Sequence, residues 1–327
     1  MMFNRDALSK LQSLIAALIV LALAVPAAAQ TYPDRPVRMI IAFSAGGSID
    51  ALGRILAQKL SELWGQNVVV ENRPGGGATI GAVVAARAAP DGYTLHLGAQ
   101  SLAVNATTAP DPNFDPLRDL DPIVLVASAQ DVLLVSPDAF HSVGELISYA
   151  KVHPDELNTG SMGPGSSSTL ATLLFSRAAG IKLRQIPYTA SSQTATDLFS
   201  GRLALLIPTL GGHLGEIQSG KSRALAVSGR ARAPQLPQVP TFEEAGVKFV
   251  EESSWYALFA PHGTPEEIVR KINADVNHIL ALPDMKERET TYGFRFIGGT
   301  PDDLREFLTR EIAKWAEFGA DALLMAQ

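Results

Sequence analysis

The sequence predicts an α/β protein made of two doubly wound lobes, each a largely parallel sheet covered by helices. Short apolar strands alternate with segments of helical periodicity, which is the pattern of parallel βαβ units. This pattern stops in a segment rich in Pro and Asp, residues 106–122, and then starts again. The 327 residues are enough for one large or two medium domains.

The first thirty residues are interpreted as an export signal. Arg5 and Lys10 precede an apolar run at 11–25, and Ala27–Ala29 follow it. A charged start, a short apolar core and a small-residue exit are typical of a cleavable secretory signal. The alternative is a membrane anchor, but about 15–18 apolar residues are short for a span of roughly 20. We therefore expect cleavage near Ala29, with residues 1–29 removed.

The exported chain begins with three predicted strands and two predicted helices, up to residue 97. Residues 37–43 are a buried-strand pattern, and residues 49–63 then repeat Leu or Ile at helical spacing. Further strands are predicted at 68–70 and 93–97, a small-residue helix at 79–89, a turn at 75–77 and a loop at 106–122.

The second half repeats the alternation. Ser142 with Glu145, and Thr264 with Glu267, are interpreted as capping boxes that open helices. Strands are predicted at 123–127, 132–135, 183–186, 203–207, 224–227 and 255–260, and helices at 143–151, 169–179, 191–200, 265–280 and from Thr300-Pro301 onward, with a Pro-rich connector at 233–240.

Composition excludes several classes of function. The formal charge of -6 argues against a general nucleic-acid binder, which needs clustered positive charge. The absence of Cys excludes a disulfide scaffold, a thiol nucleophile and Cys-ligated zinc. The six His residues form no H-E-x-x-H or H-x-H spacing. We therefore expect no metal site.

Loop one, residues 44–50, lies directly between a predicted strand and a predicted helix. It reads Ser44, Ala45, Gly46, Gly47, Ser48, Ile49, Asp50. A helix N-terminus leaves backbone N–H groups unsatisfied and carries partial positive charge, and glycines let a ligand approach closely. The geometry suits a carboxylate. The alternative is a tight turn with Ser48 as an ordinary N-cap.

Two further glycine-containing loops follow strands. Loop two, Asn72 to Ala78, has a G-x-G-x-x-x-G spacing that is one residue too long for the dinucleotide fingerprint, so it is either a turn or a ligand wall. Loop three, Ser161 to Thr169, brings three successive hydroxyls to another helix start. A catalytic serine is the weakest alternative there, since G-x-S-x-G is absent.

Polar residues also follow the strand at 93–97. Gln100 and Ser101 come after its carboxyl end, where ligands of open α/β sheets bind. His96 could reach the same crevice, although a buried structural histidine is the favoured interpretation. All three loops lie at the same end of their strands. The direct prediction is a crevice between two lobes that selects a small anion.

Short motifs are spread over nearly all of the exported chain. They are Tyr32-Pro33-Asp34-Arg35-Pro36, Gly46-Gly47-x-x-Asp50, Glu71-Asn72-Arg73-Pro74-Gly75, Ala89-Pro90-Asp91-Gly92-Tyr93, Gly165-Ser166-Ser167-Ser168, Pro187-Tyr188, Pro237-x-Val239-Pro240-Thr241 and Gly298-Gly299-Thr300-Pro301. In this order they closely resemble the motifs of one known family, the extracytoplasmic solute receptors of tripartite tricarboxylate transporters, often called Bug receptors.

The resemblance implies a periplasmic, type II-like binding protein with a hinge, whose lobes would be 30–128 plus 254–327 and 129–253. It implies capture of a small carboxylate without catalysis or cofactor, and delivery by a monomer to membrane permease subunits. The ligand-binding residues carried over are those of loop one (Ser44–Ser48 and Asp50), Gln100, Ser101, those of loop three (Gly163, Gly165, Ser166, Ser167, Ser168), Thr189 and Thr209.

The sequence departs from the family pattern near the implied pocket. Ser44-Ala45 stands where two prolines are frequent, Thr189-Ala190 replaces Lys-Gly, and Thr209 follows a strand where Asp is common. The loss of polar groups favours a less polar ligand, such as a longer dicarboxylate or an aromatic acid. A sensor that feeds a signalling partner and a serine hydrolase are the alternative functions.

Overall fold

The computed structural model describes residues 32–108, 111, 113–163, 166–188, 191–248 and 254–318. Contacts divide the chain into residues 1–34 and one compact unit, residues 35–327. The predicted signal segment and its cleavage site lie outside the described residues. Within the described part, no helix is both long and apolar enough to cross a bilayer.

Two sheets organise the compact unit. Among the described residues the first has the strand order β11-β4-β10-β3-β1-β2 and the second has the order β7-β6-β8-β5-β9. The strands are β1 (Val37–Ile41), β2 (Val68–Asn72), β3 (Thr94–Ala99), β4 (Leu120–Ala129), β5 (Val132–Val135), β6 (Asn158–Ser161), β7 (Arg184–Pro187), β8 (Leu205–Leu206), β9 (Arg223–Val227), β10 (Ser254–Pro261) and β11 (Phe294–Phe296).

The helices connect these strands in the predicted alternation. They are α1 (Ser48–Trp64), α2 (Thr79–Ala86), α3 (Ser101–Thr108), α4 (Pro116–Asp119), α5 (Val143–Val152), α6 (Ser167–Ala179), α7 (Ser191–Phe199), α8 (Leu214–Gln218), α9 (Glu266–Leu280), α10 (Pro283–Tyr292) and α11 (Pro301–Phe318), with short 3-10 turns at Gly76–Ala78 and Leu210–His213.

Strand direction places the loops. β1 pairs in parallel with both β2 and β3, so the carboxyl ends of these three strands share one edge of the first sheet. In the second sheet β6 is parallel to β7 and β8. The first sheet takes its strands from residues 37–129 and 254–296, and the second from 132–227. The predicted lobe boundaries remain a prediction.

Helix α6 belongs to the cores of both sheets. Phe175 of this helix packs beside Leu133 and Phe242 in the core of the second sheet. Leu170, one turn earlier, packs instead with Trp255 and residues of α3 against the first sheet. The two sheets therefore share apolar packing through one helix.

Three local predictions were wrong. The predicted loop 106–122 begins inside helix α3, which runs to Thr108. Leu102, Ala103 and Val104 give this helix a buried apolar face, which the polar residues that follow them obscure in the sequence. Thr264 does not cap α9: its hydroxyl donates to the Pro261 carbonyl at 2.7 Å, and Pro265 is the N-cap. The predictions also missed α10 and β11.

His96 is a core residue of β3. Only 1% of its surface is exposed, and its Nδ1 lies 3.1 Å from the Ile40 carbonyl oxygen. Burial disfavours the charged imidazolium and lowers the pKa of His96 to about 4, although the bond to Ile40 opposes this. The structural interpretation of His96 is confirmed.

His96 is expected to make folding stability depend on pH. In the unfolded chain its pKa is near 6.5, so between pH 6.5 and 4 the unfolded state binds the additional proton. The buried neutral His96 therefore makes its full contribution to the free energy of unfolding above pH 6.5. That free energy falls by about 3 kcal/mol as the pH drops to 4. Urea unfolding of the protein and of His96→Gln over this range measures the difference.

The same substitution at His262, whose side chain is 68% exposed, is the control and should keep the wild-type pH dependence. A His96→Gln curve parallel to the wild-type curve would contradict the prediction.

Candidate functional site

Loop one leaves the start of α1 open toward solvent. Gly47 is the N-cap of α1, and no side chain caps it. The first bond within the helix runs from the Ala51 N–H to the Gly47 carbonyl at 3.0 Å, which leaves the N–H groups of Ser48, Ile49 and Asp50 without a partner in the helix. These groups and the helix dipole favour an anion.

Gly46 and Gly47 keep the space in front of that helix end free. A β-carbon at either position would meet no atom within 4 Å. Gly46 also has a φ of +90°, a conformation that side chains other than glycine rarely adopt. Ser44 is half-buried and Ala45 is exposed beside them. A ligand can therefore approach the backbone of loop one directly.

The Asp50 carboxylate faces inward and holds loop one in place. It accepts hydrogen bonds from the Gly46 N–H at 3.0 Å, from the Arg54 guanidinium at 2.9 and 3.1 Å, and from Asn72 Nδ2 at 3.0 Å. Burial raises the pKa of Asp50, but the hydrogen bonds from Arg54, Gly46 and Asn72, together with the Arg54 charge, lower it overall. In this geometry Asp50 positions the loop, and its oxygens are occupied by the protein.

Asn72 joins loops one and two. Its Nδ2 also donates to the Phe43 carbonyl at 3.0 Å, immediately before loop one. Asn72 ends β2, which is the neighbour of β1, so the parallel pairing brings it to this edge. Its place in a strand-to-helix loop was the one sequence signal that pointed to this role. Loop two therefore supports loop one from the side.

Loop three places its first serine as a helix cap. Ser166 is the N-cap of α6, and its Oγ accepts from the Thr169 N–H at 3.4 Å and donates to Thr169 Oγ1 at 2.7 Å. Ser161 Oγ reaches the same Thr169 hydroxyl at 3.0 Å. Open space surrounds Gly163, and Ser168 is half-buried. The Ser166 hydroxyl is thus committed to the helix start.

Several predicted ligand-binding residues cannot be placed. Gly165 and Thr189 lie outside the described residues, and so does the side chain of Ser167. The membership of the site as a whole stays a prediction.

Gln100 and Ser101 lie at the same sheet edge as loop one. Gln100 is 4% exposed and Ser101 is 2% exposed. The Gln100 Oε1 atom is buried without a hydrogen-bond partner among the described residues. A buried acceptor of this kind requires a donor, which a bound water or a ligand hydroxyl can supply.

A cluster of buried hydroxyls joins loop one to the second sheet. Ser48 Oγ and Thr209 Oγ1 are 2.6 Å apart, and both lie beside the Tyr256 hydroxyl. Ser254 lies beside the same phenol, and its hydroxyl donates to Asp131 Oδ1 at 3.3 Å. Thr209 follows β8, and Tyr256 belongs to β10. The structure therefore brings together two residues, Ser48 and Thr209, that the sequence placed in separate loops.

Tyr256 stays protonated in this cluster. It is 4% exposed, and burial raises the pKa of its phenol, with the nearby Asp131 charge acting in the same direction. As a neutral group it keeps a hydrogen to donate. Tyr256 and Asp131 were not recognised from the sequence, because each lies in an apolar strand or at its end with no motif around it.

A close backbone contact adjoins the cluster. A β-carbon on Gly211 would overlap the Tyr292 carbonyl oxygen, and one on Gly212 would lie 3.5 Å from Ser48 Oγ. The turn after Thr209 therefore packs against the end of α10 only because Gly211 has no side chain, whereas a β-carbon on Gly212 would make an ordinary contact with Ser48.

The chain is similar to known proteins in both sequence and fold. Residues 52–321 match the family model described as the tripartite tricarboxylate transporter family receptor. Protein BugT of Bordetella pertussis is 37% identical over 297 residues, which cover 90% of this chain and 91% of BugT. The fold is that of two-domain periplasmic binding proteins.

Two solved structures are similar over most of their length. Rpa4515 of R. palustris, solved with adipate, superimposes with a TM-score of 0.83 at 35% identity and covers 88% of this chain and 96% of its own. MatC of Rhodopseudomonas palustris, solved with bound malate, has a TM-score of 0.82 at 30% identity and covers 88% and 99% of the two chains.

Replacing Asp50 by Asn tests the support of loop one. At pH 7 the change removes the negative charge opposite Arg54. It also places an NH2 group, which cannot accept, among the donors Gly46, Arg54 and Asn72. We therefore expect a loss of about 1–3 kcal/mol in unfolding free energy. Because the folded pKa of Asp50 is lowered, this difference should shrink as the pH falls through that value. Chemical denaturation at several pH values measures it.

Glu266→Gln is the matched control, because it breaks another i,i+4 ion pair, the one between Glu266 and Arg270. The Glu266 side chain is 79% exposed and the Arg270 side chain is 67% exposed. That change should cost no more than about 0.5 kcal/mol. Equal losses in the two variants would contradict a positioning role for Asp50.

Proposed function

The chain belongs to the tripartite tricarboxylate transporter receptor family and is a periplasmic solute receptor of that family, and from this premise we propose that it binds a small dicarboxylate. The observation that carries the proposal is the uncapped start of α1 behind open space at Gly46 and Gly47. One ligand carboxylate accepts from the N–H groups of Ser48, Ile49 and Asp50.

The remaining contacts come from the facing loops. Loop three closes over the ligand with its backbone and with Ser168, while Ser166 holds the helix start. Gln100 Oε1 accepts from a ligand hydroxyl or from a water that bridges to the carboxylate. Binding shifts the balance between open and closed arrangements by the ligand's preference for the closed one.

The ligand class follows from the polarity of the site. Loop one offers Ser44 and Ala45, and neither loop one nor loop three contains a cationic side chain. The positive potential in these loops comes from backbone dipoles. Such a site favours an acid with an apolar body, such as a linear dicarboxylate or an aromatic acid. The relative solved with adipate supports the first of these.

We also propose that the receptor is exported with cleavage near Ala29, acts as a monomer, and delivers its ligand to membrane permease subunits. A signalling partner is the alternative recipient. No catalysis is proposed, because the Ser166 hydroxyl is engaged in capping α6. Covalent labelling by a serine-reactive phosphonate would contradict this.

A charged cap at Gly47 tests the carboxylate site. Gly47→Asp places a carboxylate at the N-cap, where it accepts from the same N–H groups that the ligand needs. We expect the ligand-free protein to gain up to about 1 kcal/mol of stability and to lose at least 100-fold in affinity for adipate. Calorimetric titration and thermal denaturation measure the two effects.

Gly47→Ala is the matched control. Its β-carbon enters open space and brings no acceptor, so affinity should change by less than about threefold. Adipate binding that survives in Gly47→Asp would remove the start of α1 from the site.

A ligand panel tests the preference for an apolar body. Thermal-shift measurements with adipate, benzoate, malate and citrate at millimolar concentration detect micromolar binders, because the shift follows RT ln(1 + [L]/Kd). We expect adipate or benzoate to raise the melting temperature most. A much larger shift with malate or citrate would contradict the preference for an apolar body. If malate gives that shift, the proposed dicarboxylate site itself still stands.

A further inference from the structure

A cavity of about 380 Å³ lies where the chain passes between the two sheets, apart from the loops described above. Its walls are the end of β4, the segment 230–235 after β9, and the end of α10 with β11. None of its lining residues belongs to the predicted ligand-binding set. We call it the arginine cavity, after Arg230, Arg232 and Arg295, which line it.

The arginine cavity carries excess positive charge. Glu289 is the acidic residue among its lining side chains, and Glu289 Oε1 already accepts from the Phe296 N–H at 2.7 Å. Arg232 pairs with Glu244 at 2.8 Å, with both side chains near half exposed. The Arg230 side chain makes no hydrogen bond or ion pair with another described residue. A guanidinium without a partner is available to an oxyanion.

Two glutamines fix the walls of the cavity. Gln130 Nε2 donates to the carbonyls of Ser228 at 2.6 Å and Ala231 at 2.8 Å, which anchors the start of the 230–235 segment. Gln235 Nε2 donates to the carbonyls of Glu289 at 3.3 Å and Thr290 at 3.2 Å, which anchors its far end to α10. The cavity is therefore held at both ends by side-chain hydrogen bonds.

We propose that the arginine cavity binds a small dianion, either inorganic phosphate or a short dicarboxylate, as a second site beyond the proposed ligand cleft. Its volume is in the range of small-molecule sites. The planar guanidinium presents a fork of donors that matches the paired oxygens of both anions. The lining keeps a net positive charge even when Glu244, the partner of Arg232, is counted together with Glu289, and this charge favours an anionic ligand.

Titration calorimetry with inorganic phosphate, and separately with succinate, tests the proposal. The double variant Arg230→Gln/Arg295→Gln should weaken binding of the preferred dianion at least tenfold. Arg270→Gln is the control, since this arginine is 67% exposed on α9 away from the cavity lining, and it should leave binding unchanged. Circular dichroism and the melting temperature confirm that each variant is folded.

The Gly47→Asp variant separates this site from the proposed ligand cleft. Phosphate or succinate binding that persists when adipate binding is lost supports a second site, and loss of both would place the dianion in the cleft. Absence of saturable binding at millimolar concentrations of either dianion would overturn the proposal. Binding of an acidic peptide without either small dianion would also overturn it, in favour of a docking surface.

Discussion

The contact on which loop one depends is the buried hydroxyl cluster between the sheets. Polar groups removed from water must find partners inside the protein, and Asp131, Ser254 and Tyr256 are all nearly inaccessible. Ser254 donates to Asp131 Oδ1, and Ser48 at the start of α1 pairs with Thr209 beside the Tyr256 hydroxyl. The position of the helix end is therefore set by residues of both sheets. Losing one member would leave its neighbours unpaired in a low dielectric.

Net charge is a poor guide to the partner of this protein. The chain carries a formal charge of -6, yet its proposed ligand is an anion. The acid in loop one is turned away from the opening and neutralised by Arg54, so it does not repel a carboxylate there. Attraction comes instead from N–H groups and a helix dipole, which have no formal charge and act within one helix turn.

Much of the fold could be predicted from the sequence, because strand and helix periodicities are local. The loops of β1, β2 and β3 were expected at one edge, and parallel pairing places them there. The supports of the site were not predictable in this way. The hydroxyl cluster joins Ser48 to Tyr256 across some 200 positions, and the Asp50–Asn72 bond depends on strand register. Thr264 shows the opposite error. Its local sequence pattern predicted a helix cap, but its hydroxyl donates instead to the Pro261 carbonyl.

Helix α6 has a consequence for how the protein unfolds. Leu170 contributes to the core of the first sheet, whereas Phe175 contributes to the core of the second. Excising the second sheet as a fragment would expose Leu170 and leave a gap beside Trp255. The halves are thus coupled energetically as well as covalently, and melting of one removes apolar contacts from the other. A single cooperative transition, rather than two independent ones, is what such shared packing favours.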